Sequence, residues 1–104
     1  MKDKLTTLEA AAAMVRDGDQ IILSGDSGGS PSPMAAIRRL VHDGRKGLRL
    51  VGVVGATVNA DLPIGAGAVA SIDTCSVGMS PFARTGPNFA RHCEAGRIKA
   101  LDNT

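Results

Sequence analysis

The sequence predicts an α/β domain with a mostly parallel sheet and alternating helices. Segments with helical periodicity alternate along the chain with short apolar, β-branched runs. Asp17-Gly18, Asp43-Gly44 and Gly96 each close a helical pattern, and an apolar strand pattern follows within a few residues. Glycine there supplies the left-handed residue that reverses the chain, and repeated return from helix to strand implies crossover connections between parallel strands.

Each element follows from its residues. Thr6-Thr-Leu-Glu9 has the spacing of a capping box, and Leu8, Ala11, Ala12 and Val15 follow at i, i+3, i+4 and i+7, so a first helix is expected up to Asp17-Gly18. Gln20–Ser24 reads as a buried strand. A second helix opens at Pro33 and runs to about His42, with Met34, Ile37 and Val41 inward and Arg38, Arg39 and Asp43 toward water. Strands are expected near Leu48–Val54, Ser71–Val77 and Arg97–Leu101, with a short helix over Asn59–Ile64 and another over Asn88–Ala95.

The segment between the first strand and the second helix reads Ser-Gly-Asp-Ser-Gly-Gly-Ser-Pro-Ser-Pro over residues 24–33. A strand entering a glycine-rich turn and then a helix N-terminus is where open α/β sheets hold anionic or carbonyl-bearing ligands, because first-turn N–H groups lack helical partners. Gly25, Ser27, Gly28, Gly29 and Ser30 are therefore the candidate binding residues. Gly28 and Gly29 let a ligand approach the backbone, and Ser27 and Ser30 add hydroxyls. An ordinary mobile connection is the competing reading. Asp26 reads as a solvated loop carboxylate or a local turn cap.

Composition narrows the function. The chain has 104 residues, enough for a single domain spanning 1–104, with 43% hydrophobic and 21% charged residues. Its net charge is +2, its basic residues are scattered, and aromatics make up 2%, so neither a phosphate-tracking tract nor a base-stacking platform for nucleic acid is present. No apolar run reaches the roughly 18 residues of a membrane helix, and the first residues carry no signal-peptide core, so a cytoplasmic protein is expected. Cys75 and Cys93 are expected as unpaired small core residues, and His42 and His92 as surface residues near helix ends.

Other motifs are weak. Gly65-x-Gly67-x-x-Ala70 fits a loose dinucleotide fingerprint, but Asp61 and Pro63 precede it where a strand belongs and a strand-like run follows where a helix belongs. Asp61 and Asp73 make no metal-ligand spacing with a histidine, so neither metal nor resident cofactor is expected.

The ordered set Asp17-Gly18-Asp19, the glycine loop before Pro33-Met34-Ala35, Leu48–Val51 and Ala60-Asp61-Leu62-x-Ile64-Gly65-Ala66-Gly67-Ala68-Val69 resembles the α-subunit type of family I CoA-transferases, in particular the glutaconate CoA-transferase group. Val77-Gly78-Met79-x-Pro81-Phe82, Asn88-Phe89-Ala90-Arg91 and Gly96-Arg97-Ile98 continue the pattern, so the resemblance covers nearly the whole chain. Ser32 departs from it where many relatives carry a basic residue, and Ser80 where relatives often carry an acidic one.

The resemblance implies an open, incomplete Rossmann-like CoA-transferase fold and an α-type subunit, or the N-terminal part of one, that moves CoA between an acyl-CoA and a carboxylic acid. A β-type partner subunit would supply the glutamate nucleophile, CoA thioester being substrate rather than cofactor. In line with this, Glu9 and Glu94, the only glutamates, both fall in expected helices, so no catalytic residue is assigned in this chain. A CoA-thioester or ring-opening hydrolase on the same scaffold and a non-catalytic binding chain are the alternatives. Family subunits continue with further strands past the position of Thr104. The last strand is therefore expected to be uncovered and to invite pairing, giving an oligomer.

Overall fold

In the computed structural model, residues 2–23, 32–52 and 55–102 are described. The elements are α1 (Leu8–Ala13), β1 (Gln20–Leu23), α2 (Met34–His42), β2 (Leu48–Gly52), α3 (Val58–Gly65), β3 (Val69–Thr74), α4 (Pro87–Glu94) and β4 (Lys99–Asp102). The four strands form one parallel sheet in the order β1-β2-β3-β4, in register through Ile22↔Val51↔Asp73↔Leu101. Crossovers through α2, α3 and α4 link consecutive strands, and each helix packs on the next to form a single layer.

Three helices end in the same device. Gly44, Gly67 and Gly96 each adopt positive φ one residue past the C-cap. Their N–H groups bond Val41, Ile64 and Cys93, and the next residue reaches back one further, as in Arg45 N to Leu40 O at 3.1 Å and Arg97 N to His92 O at 2.9 Å. This is the Schellman motif. The helix ends expected at Gly44 and Gly96 are present, and Gly67 adds a third. Gly18 also has positive φ but lies in the turn before β1, beyond the end of α1.

The core is a layer of aliphatic and small side chains between sheet and helices, with Leu48, Ile64 and Ile72 at its centre. Strand alternation sends Leu23, Leu48, Leu50 and Ile72 into it. The opposite residues, Gln20, Ile22, Arg49, Lys99 and Leu101, are exposed, and Ile22 keeps 66% of its surface in water. The first strand is thus buried on one face only, because no described element covers the other.

Several sequence expectations shift. Thr7, not Thr6, caps α1, accepting from Ala10 N at 3.1 Å, so no Thr–Glu capping box closes, and the helix ends at Ala13. Helix α2 buries Ile37 and Leu40, and Val41 is only half-buried, because the helix is rotated toward the sheet by about one residue. Strand β3 lies earlier than expected and β4 slightly later, each because pairing with its neighbour sets the ends. Cys75 is exposed, since it stands just beyond the end of β3, whereas Cys93 packs against the core. His92 is buried at 6% exposure on the inner side of α4, and His42 is exposed.

Candidate functional site

The carboxyl ends of the strands converge on one edge of the sheet, the edge at which parallel α/β sheets bind ligands. From β1 the chain enters residues 24–31, so Gly25, Ser27, Gly28, Gly29 and Ser30 lie outside the described residues. The described part of this edge is built by the ends of β2 and β3 and by the N-terminus of α3.

Beyond the regular strands, β2 and β3 stay zipped. Ala56 bridges Val77, with Ala56 N to Ser76 O at 2.9 Å and Gly78 N to Ala56 O at 3.0 Å. The Thr74 hydroxyl donates to the Ser76 carbonyl at 3.3 Å. Gly52 is required here, since a Cβ would stand 2.6 Å from Thr74 Oγ1. The result is a tight floor of small and hydroxylic residues, with Cys75 and Ser76 exposed at its rim and their Sγ and Oγ 3.8 Å apart.

Helix α3 begins directly after this floor. Its N-cap, Thr57, makes no side-chain cap bond. Asn59 instead turns its Oδ1 back to accept the Thr57 N–H at 2.9 Å, which leaves its buried Nδ2 without a partner among the described residues. The first-turn N–H groups of Val58 and Asn59 also have no acceptor among them. An uncapped helix start of this kind stabilises negative charge or a polarised carbonyl.

One buried carboxylate fastens α3 to α4. Asp61 is 3% exposed and accepts from Phe89 N at 2.8 Å, Asn88 Nδ2 at 3.0 Å and Asn88 N at 3.4 Å. It thereby caps a neighbouring helix whose own N-cap, Gly86, has no side chain. The absence of that side chain is necessary, because a Cβ on Gly86 would collide with Asp61 Oδ1. Gly65 is constrained likewise, its Cβ position lying 2.6 Å from the Asn88 amide. The Gly65-x-Gly67 pair therefore closes a helix before a strand, the reverse of a dinucleotide turn.

Between α4 and the floor, residues 77–86 form a braced turn. Met79 and Ala83 exchange backbone bonds at 3.0 and 2.9 Å, and Gly86 N returns to Val77 O at 2.8 Å. Phe82 sits at its tip, 88% exposed. No three His, Cys, Asp or Glu side chains converge as metal ligands among the described residues. None of the described helices is long and apolar enough to cross a membrane.

Exposure separates the thiols, Cys75 being exposed and Cys93 half-buried. Burial, reinforced by the adjacent Glu94, pushes the Cys93 thiol above its ordinary value. Among the carboxylates, Asp43 is held below its usual range, chiefly by the Arg39 hydrogen bond and also by His42.

The sequence reading named the loop of Gly25, Ser27, Gly28, Gly29 and Ser30, which lies outside the described residues, and missed Asn59 and the Asp61 connection. Both sit in or beside the Ala60–Val69 region that carries the resemblance, yet their roles depend on geometry that spacing does not give: Asp61 meets Asn88 27 residues on.

Comparison with solved structures gives the fold a context. Glutaconate coenzyme A-transferase from Acidaminococcus fermentans superposes with a TM-score of 0.87 and 29% identity, covering 98% of this chain and 32% of that one. The decarboxylase AibA/AibB superposes with a TM-score of 0.79 and 22% identity, covering 95% of this chain and 38% of the other. The chain thus spans about a third of the solved chains it matches. No family model and no curated protein sequence matches it. The chain shares the family I CoA-transferase fold, found in both a transferase and a decarboxylase.

Proposed function

We propose that this chain is an α-type part of a CoA-transferase, contributing one wall of a cleft in which CoA passes from an acyl-CoA to a carboxylic acid. The observation that carries this reading is the match to glutaconate coenzyme A-transferase across 98% of the chain. The nucleophilic glutamate comes from a β-type partner subunit. Glu94 stands in the last turn of α4, at the amino edge of the sheet and away from the strand ends, and Glu9 is engaged with Arg39 at 3.4 Å. A carboxylate that attacks a thioester must be open to its carbonyl, and neither fits.

In this reading the residues 25–30 loop lines the acyl or pantetheine end of the cleft. In that role its backbone N–H groups and the Ser27 and Ser30 hydroxyls would stabilise a developing oxyanion. The AibA/AibB match indicates why the partner matters: the scaffold alone does not choose the reaction.

The test is reconstitution with a β-type subunit, followed by an acyl-CoA exchange screen. The isolated chain is expected to be inactive, and the complex active. Gly28→Val should lower turnover about a hundredfold, the effect of losing one oxyanion donor, and leave assembly intact. Acyl-CoA-dependent, hydroxylamine-sensitive labelling of Glu9 or Glu94 would overturn the assignment of the nucleophile. Unchanged turnover in the folded Gly28→Val complex would return the loop to a plain connection.

A further inference from the structure

We draw no further inference here: the strongest candidate, the cavity beneath α2 lined by Leu23, Ile37, Leu40, Leu50 and the Asn59 amide that has no partner among the described residues, has a volume of about 20 Å³, room for one water, and Asn59 is its only polar lining side chain, so nothing in the structure shows what occupies it.

Discussion

The α3–α4 half and the α1–α2 half of the helical layer are held together by opposite means. Helices α3 and α4 meet through a desolvated carboxylate, Asp61, with three donors converging on it and glycines at 65 and 86 making room. Helices α1 and α2 meet through small buried residues such as Ala12 and through an ion pair open to water, Arg39 to Glu9 at 3.4 Å, while Arg39 also bonds Asp43 at the end of its own helix at 3.0 Å. Beneath α2 the core is mostly aliphatic and imperfectly filled, with a small cavity among Ile21, Leu23, Ile37, Leu40, Leu50 and the Asn59 end of α3. The same kind of chemistry, a carboxylate facing N–H donors, is strong in one half and weak in the other because only one half excludes water.

Four measurements test that contrast, in falling order of effect. Asp61→Ala should cost about 4 kcal/mol in urea melts, since it strands several buried donors at once. Asp61→Asn, which keeps an acceptor for Phe89 N, should cost about half as much. A loss under about 1 kcal/mol in Asp61→Ala would show that the α3–α4 contact rests on packing rather than on the carboxylate.

Next comes Leu40→Ala, expected to cost about 3 kcal/mol because it enlarges a void that the sheet beneath cannot close. If this exceeds the Asp61→Ala loss, aliphatic burial rather than the carboxylate is the stronger fastening. Smaller again is Arg39→Ala, at about 0.5 kcal/mol or less, as for solvent-exposed ion pairs.

That pair also carries a pH signature. Folding lowers the Asp43 carboxyl below its ordinary value of 3.8, so its contribution is complete above that range and fades as pH falls through the depressed folded value. Acid melts of wild type and Arg39→Ala should therefore draw together as pH falls below 3.8 and converge once it is below the depressed folded value. A difference that persists there would mean that Arg39 acts through packing of its stem.

The smallest perturbation is chemical. Cys75 should react with a disulfide reagent at least about tenfold faster than Cys93, whose thiol is half-buried and pushed above its ordinary pKa. Equal rates in native protein would show that the α4 side opens readily.

Local rules were sufficient for the order and type of the elements. Alternating periodicity and the glycines at 44 and 96 announced helix and strand because the 3.6- and 2-residue repeats and the left-handed C′ residue act over a few positions. The glycine-rich loop is a reading of the same local kind, and its residues 24–31 lie outside the described part of the structure. What local rules could not reach was set by partners far along the chain. The Thr7 cap in place of Thr6, the burial of His92 and the exposure of Cys75 depend on where each helix is seated and where strand pairing stops. Ile22 reads as a core residue in the expected buried strand Gln20–Ser24, yet alternation puts it on the open face once β1 pairs with β2. Asp61 looks like an ordinary first-turn acid until the tertiary fold brings the start of α4 against it. Periodicity states that a residue has a side; only packing states what lies on that side, because burial is a relation between segments rather than a property of one.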